Sequence, residues 1–155
     1  MDRTDRANRV IEAPPAIVYD ALLDRESLEA WLPPDGMRGR IELWDPRSGG
    51  GFRMVLTYLD PTDSPGKTSA ATDVVDVGFA DLVPPERVVQ KAVFESDDPL
   101  YAGIMTMTWA LAAVANGTEV SVIASDVPPG IDQAVHEAAI ASSLANLASY
   151  VEGRA

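Results

Sequence analysis

The chain contains one histidine, His136, within its last predicted helix. An imidazole titrates at about pH 6.5, so this side chain could orient a bound ligand or act as a general base near neutral pH. Such a role usually needs a carboxylate that holds the ring, and no neighbouring position in the sequence identifies one. The alternative is a partly solvated histidine that is hydrogen-bonded in the first turns of the helix. We assign no catalytic residue.

A second group of charged residues, Asp45, Arg47 and Arg53, surrounds the glycine run 49–51. Arginine forks and free backbone N–H groups suit a carboxylate or another anion. The glycines also suit a bulged hairpin that is held by an ion pair between Arg53 and Asp45 or a neighbouring carboxylate. We favour the structural interpretation.

Several kinds of chemistry lack the residues that they need. The chain has no cysteine and one histidine, so a zinc site is not expected. The glycine runs lack the lysine and the strand-to-helix context of a phosphate loop, and no serine lies in a nucleophile elbow. We therefore expect no metal and no cofactor, and we favour a binding function over an enzymatic one.

The charge balance limits the partners. The chain has 12 basic and 24 acidic residues, a net charge of −12, which repels phosphate backbones and anionic lipid surfaces. No stretch approaches the roughly 18 apolar residues of a membrane span, and the N-terminus lacks the apolar region of a secretory signal. The sequence thus predicts a cytoplasmic protein, 1–155 forming a single domain, with no nucleic-acid partner and no membrane span.

The elements that must position these residues follow from the hydrophobic periods. A period of 3.6 in two short segments and in the last segment predicts helices, and a period of 2 between them predicts strands in hairpin order, with Asn116-Gly117 as a hairpin turn. Strands followed by a helix predict an α+β fold. The predicted elements are strand Arg6–Glu12, helices Ala16–Leu23 and Leu28–Leu32, strands Arg38–Leu43, Phe52–Tyr58, Ala71–Leu82, Arg87–Glu95, Gly103–Val114 and Thr118–Ser125, and helix Ile131–Val151, with Asp60–Lys67 as a loop.

Face assignments follow from the same periods. In the first helix they place Ile17, Val18, Ala21 and Leu22 on one face, and Ser27 is the predicted cap of the second helix. Two strands turn Phe52, Met54, Leu56 and Tyr58, and Met105, Met107, Trp109 and Leu111, to one side. In the last helix Ile140, Leu144, Leu147 and Val151 form a stripe, on which His136 also falls with Ser143 and Asn146 beside it. The sequence does not decide whether Asp73, Asp76 and Asp81 point to the inner or the outer face of the sheet, because each of the two sets of alternate residues in their strand contains valine and aspartate.

Four parts of the chain resemble the SRPBCC superfamily, which is also called START-like or Bet v 1-like. Within it they are most similar to the group named for homology to the activator of heat-shock protein 90 ATPase. The resemblance spans residues 6 to 152. Its segments are Ile11–Leu22 (IEAPPAIVYDAL), Trp31–Gly36 (WLPPDG) with Asp45–Arg53 (DPRSGGGFR), Val83–Val89 (VPPERVV), and Met105–Thr108 (MTMT) with Asn116–Val120 (NGTEV).

This resemblance implies a helix-grip fold: a curved antiparallel sheet of about six to seven strands, wrapped on a long C-terminal helix, with two short helices after the first strand. It also implies an apolar cavity between sheet and helix, whereas the residue pattern alone fits a solid core equally. The family often carries a Gly-Trp pair in the last helix; here residues 138–143 have no tryptophan, so the cavity is wider or Trp109 fills it. The predicted lining is Trp31, Phe52, Met54, Tyr58, Met105, Met107, Trp109, His136, Ile140, Ser143, Leu144 and Leu147, with Trp31 and Tyr58 as residues that could control access.

Three functions remain open at this point. The first is binding of a small hydrophobic or amphipathic ligand, since methionine and aromatic side chains suit an adaptable apolar pocket. The second is a co-chaperone-like interaction in the stress response, which the group's name suggests. The third is a cyclase or hydrolase acting on an aromatic or polyketide-like substrate, which needs His136 or a carboxylate in the cavity. A homodimer through an edge strand or through the region Arg87–Glu95 is a further possibility.

Overall fold

The computed structural model of the protein describes residues 3–59 and 72–152. One antiparallel sheet contains seven strands in the order β1-β7-β6-β5-β4-β3-β2, which confirms the predicted α+β helix-grip fold. The strands are β1 (Thr4–Ile11), β2 (Met37–Asp45), β3 (Gly51–Tyr58), β4 (Thr72–Val83), β5 (Arg87–Phe94), β6 (Met105–Val114) and β7 (Gly117–Ser125). The helices are α1 (Pro15–Leu22), α2 (Arg25–Trp31) and α3 (Gln133–Glu152), with a short 3-10 turn at Pro99–Tyr101.

The two ends of the sheet differ in what connects the strands. At one end, tight turns join β2 to β3, β4 to β5 and β6 to β7, and we call this the hairpin end. At the other, which we call the loop end, residues 95–104 connect β5 to β6 and residues 126–132 connect β7 to α3. The loop end is formed by Thr4, Tyr58, Thr72, Phe94, Met105 and Ser125. The predicted loop Asp60–Lys67 lies outside the described residues.

Helix α3 closes the inner face of the sheet. Its stripe of Ile140, Leu144, Leu147 and Val151 is buried, with exposed fractions of 5% or less, which confirms the predicted face. The helix also lies along β1, where Glu137 accepts a hydrogen bond from the backbone of Arg6 at 2.9 Å and Glu152 accepts one from Glu12 at 2.9 Å. Burial of the stripe and these polar contacts together fix the helix on the sheet.

The short helices differ from the prediction in two details. In α1, Tyr19 is buried and Ile17 is 36% exposed, so the buried face of the helix contains Tyr19 where the prediction placed Ile17. In α2, the predicted cap at Ser27 is wrong. Asp24 is the N-cap, and its carboxylate accepts from the backbone N–H of Ser27 at 3.0 Å and from its hydroxyl at 2.6 Å. A charged acceptor three residues earlier satisfies the free N–H groups better, so the helix begins one turn sooner.

Strand β2 contains a bulge between Glu42 and Asp45. Leu43 has a left-handed backbone, with φ of 58°, and its side chain is 77% exposed. The extra residue lets Trp44 turn towards the interior, where its ring lies 5.5 Å from Phe52 and 6.1 Å from Phe79. The bulge therefore closes the apolar interior near the hairpin end.

Candidate ligand site

The inner face of the sheet carries the residues that alternation predicted for it. Phe52 and Met54 on β3 and Met105 and Trp109 on β6 are buried, with exposed fractions of 4% or less. Met107 is partly buried and packs against the same cluster. Because neighbouring strands place alternate side chains on one face, these side chains form one surface beneath α3.

The helix side of this interior combines apolar and polar side chains. Ile140, Leu144 and Leu147 are buried, and so is Ser143, which is 6% exposed. The Ser143 hydroxyl donates to the carbonyl oxygen of Leu32 at 2.6 Å, so the end of α2 lies directly against α3. A small side chain at position 143 permits this close approach.

Two tryptophans meet at the centre of the interior. Trp31 is fully buried, and its ring lies 5.5 Å from that of Trp109 in an edge-to-face arrangement. Each indole N–H has a partner: Trp31 donates to the carbonyl of Ala21 at 3.0 Å, and Trp109 donates to Oε1 of Gln90 at 3.1 Å. The rings of Trp31 and Trp109 thus fill space in an interior to which the last helix contributes no indole.

A carboxylate lies on the same inner face. Asp73 on β4 is 3% exposed, and it accepts a hydrogen bond from the Tyr58 hydroxyl at 3.0 Å. The register pairs Asp73 with Leu56, which places it near the loop end. By contrast, Asp76 points to the outer face, where it pairs with Arg53 at 2.8 Å, and Asp81 pairs with Arg87 at 3.1 Å. The structure therefore assigns the inward position to Asp73 among the three aspartates that the sequence left open.

His136 has a carboxylate partner that the sequence did not reveal. Its Nδ1 lies 2.7 Å from Oδ2 of Asp5, whose side chain is fully buried on β1. Arg3 donates to both oxygens of the same carboxylate, at 3.0 Å and 2.7 Å. Burial alone would raise the pKa of Asp5, but the hydrogen bonds and charges of Arg3 and His136 outweigh it and lower that pKa. This triad connects β1 to the first turns of α3.

The charged residues around the glycine turn form ordinary ion pairs. Asp45 pairs with Arg47 at 2.9 Å. Of the two partners that the sequence left open for Arg53, Asp45 or a neighbouring carboxylate, Asp45 is excluded, and Arg53 pairs with Asp76 on the adjacent strand at 2.8 Å. The reason is the register, because it places Asp76 directly opposite Arg53 on the neighbouring strand. The Arg53 fork is occupied by the Asp76 carboxylate, and Nε of Arg47 contacts both oxygens of Asp45, which argues against an anion site here.

Two depressions lie on the surface of the described ranges, outside the interior. The first, about 460 Å³, lies between the end of α2, the start of β2 and α3. The second, about 490 Å³, lies on the outer face of β2 to β5, over Gly51 and Gly78. Within residues 3–59 and 72–152, no group of three or more His, Cys, Asp or Glu side chains could hold a metal. None of the helices in those ranges is long and apolar enough to cross a membrane.

With this geometry established, comparison with known proteins identifies the family. A family model described as Activator of Hsp90 ATPase homolog 1-like protein matches residues 12–152. The chain belongs to this family. None of the curated proteins matches the chain.

Solved structures agree with this assignment to the Activator of Hsp90 ATPase homolog 1-like family. Protein CV1439 from Chromobacterium violaceum is 32% identical, with 96% of each chain covered and a TM-score of 0.84. A protein from Arthrobacter aurescens is 15% identical, covers 97% of this chain and 86% of its own, and has a TM-score of 0.78. DynU16, a protein in the dynemicin biosynthetic locus, is 20% identical over 96% of this chain and 47% of its own, with a TM-score of 0.68.

The Activator of Hsp90 ATPase homolog 1-like fold supports a ligand-binding type of function in general terms. The two more distant structures, at 15% and 20% identity, show the fold alone. The choice among ligand binding, partner binding and catalysis therefore depends on the residues of the interior.

Proposed function

We propose that this chain binds a small hydrophobic or amphipathic ligand between the inner face of its sheet and α3. The observation that carries the proposal is Asp73, a buried carboxylate hydrogen-bonded to Tyr58 within a lining of methionine and aromatic side chains. A core that serves only stability seldom contains a carboxylate, because removing the charge from water is costly. Ligand sites combine an apolar lining with a few polar groups that fix orientation.

The apolar part of the lining suits occupants of different shape. Met54, Met105 and Met107 lie on two strands of the same face, separated by β4 and β5. Methionine side chains have three rotatable bonds and a polarisable sulfur, so they can re-pack around a ligand at low cost. The full set of proposed contacts is Trp31, Phe52, Met54, Tyr58, Met105, Met107, Trp109, His136, Ile140, Ser143, Leu144 and Leu147.

Native mass spectrometry of the purified protein, followed by organic extraction, tests the proposal. We expect a bound apolar molecule on the wild type, and we expect Met107→Glu to lose it, because a carboxylate in the lining repels an apolar occupant. Leu43→Glu is the matched control, since it adds the same charge at a side chain that is 77% exposed, and it should retain the molecule.

A wild-type protein that carries nothing would contradict the proposal if it also shows no thermal shift with oleic acid, cholesterol or 2-acetylnaphthalene. Equal loss of the bound molecule in Met107→Glu and Leu43→Glu would place the binding site elsewhere.

A second candidate function is catalysis on a bound aromatic or polyketide-like substrate. Asp73 and Tyr58 are the observation that favours it, because a buried carboxylate and a phenol 3.0 Å apart could exchange a proton with a substrate. A co-chaperone role is supported by the family description only.

A further inference from the structure

One buried polar atom in the interior is unpaired within the described residues. The hydroxyl oxygen of Tyr19 is inaccessible to solvent and has no hydrogen-bond partner among residues 3–59 and 72–152, and Tyr19 as a whole is 5% exposed. Buried tyrosine hydroxyls normally find a partner, because leaving the donor unpaired has a measurable cost. An unpaired group of this kind calls for an explanation.

The position of Tyr19 relates it to the interior. The residue lies in the middle of α1, and its side chain belongs to the same buried cluster as Phe79, Val88 and Trp109 on the inner face of the sheet. The charge of Asp81, close to the turn between β4 and β5, is near enough to influence it. The hydroxyl therefore lies towards the hairpin end, opposite the loop end where Tyr58 and Asp73 meet.

We propose that the Tyr19 hydroxyl donates a hydrogen bond to a neutral acceptor oxygen, of the ketone, ester or ether type, at the end of the ligand that lies nearest the hairpin end. This inference rests on the proposed function and adds the chemical class of the ligand. Burial, and then the negative charge of Asp81, raise the pKa of Tyr19, so the phenol keeps its proton and remains a donor. The same two features disfavour an anionic ligand group at this point.

Two probes of nearly equal shape test the inference. 2-Acetylnaphthalene carries a ketone where 2-ethylnaphthalene carries a methylene group. We expect the wild type to bind the ketone about fivefold more tightly, the effect of one ordinary hydrogen bond, and we expect Tyr19→Phe to abolish this preference. Binding of the ethyl compound should stay within about twofold. Tyr150→Phe, which removes a hydroxyl from a tyrosine that contacts Ser27, is the matched control and should change neither affinity.

The outcomes separate this inference from the proposed function. If neither probe binds a wild type that carries an extracted apolar molecule, the inference fails and the proposed function stands. If the wild type also carries nothing and shows no thermal shift with oleic acid or cholesterol, both fail. If both bind with equal affinity to the wild type and to Tyr19→Phe, binding in the interior stands and the role of Tyr19 is refuted; a buried water would then be the partner of the hydroxyl. If the wild type bound the anion 2-naphthoate more tightly than 2-acetylnaphthalene, the claim that Tyr19 donates to a neutral acceptor oxygen would be refuted. A lower unfolding midpoint of unliganded Tyr19→Phe would reveal a structural hydrogen bond and would also overturn the proposal.

Discussion

Replacing Trp31 by alanine should lower the free energy of unfolding by about 3–5 kcal/mol. The side chain is fully buried, it contacts Trp109 edge to face, and its indole N–H donates to the carbonyl of Ala21. Alanine removes the ring from both contacts and leaves a cavity between α2 and the sheet. Urea unfolding followed by circular dichroism measures the change.

Two control variants test whether the lost stability comes from the packing of the Trp31 ring. Trp31→Phe keeps an aromatic ring but loses the donor, so its destabilisation should be clearly smaller. Leu43→Ala removes a side chain that is 77% exposed, and its effect should stay within about 0.5 kcal/mol. If Trp31→Ala cost no more than Leu43→Ala, the tryptophan would not be part of the packed interior.

Replacing Asp5 by asparagine should cost about 2–3 kcal/mol at pH 7, because it removes a charge that is hydrogen-bonded to Arg3 and His136. The pKa of Asp5 is lowered in the folded state, whereas an unfolded aspartate titrates at about 3.9. Its contribution is therefore fully present above about pH 4 and is lost as the pH falls through the lower folded value. The difference in stability between wild type and Asp5→Asn should accordingly narrow as the pH falls below about 4.

Chemical denaturation over this pH range measures the effect. Asp45→Asn is the matched control, since Asp45 also pairs with an arginine but its side chain is 43% exposed. It should change stability by less than about 1 kcal/mol at any pH. A constant difference between wild type and Asp5→Asn down to pH 2 would show that Asp5 does not act through its charge.

The fold was predictable because the hydrophobic period changes where the elements change. The alternation of Met105, Met107, Trp109 and Leu111 and the stripe through Ile140 and Leu144 each follow from local spacing, and burial confirms both faces. Most boundaries moved by one or two residues, as at α3, where the predicted start at Ile131 became Gln133, whereas the start of α2 moved by three, from Leu28 to Arg25. Such shifts reflect capping and fraying, which spacing describes poorly.

The polar groups of the site were less predictable, because their partners are distant in sequence or depend on strand register. His136 and Asp5 are 131 positions apart, and nothing near either residue indicates the other. Asp73 could be assigned to the inner face only after its pairing with Leu56 was known. Tyr19 was missed because the predicted apolar face of α1 included Ile17 in its place.

The central claim is that a ligand occupies the space between the sheet and α3, and methionine methyl groups can report it directly. In NMR spectra of protein labelled with ¹³C at the methionine methyls, titration with 2-acetylnaphthalene should shift Met54, Met105 and Met107, because an aromatic ligand beside them changes their ring-current environment. Met37 borders the surface depression between α2, β2 and α3, so it serves as the internal control. Shifts at the three interior methyls with little change at Met37 are the predicted result. Shifts confined to Met37, or no shifts at a concentration that saturates binding, would contradict the account.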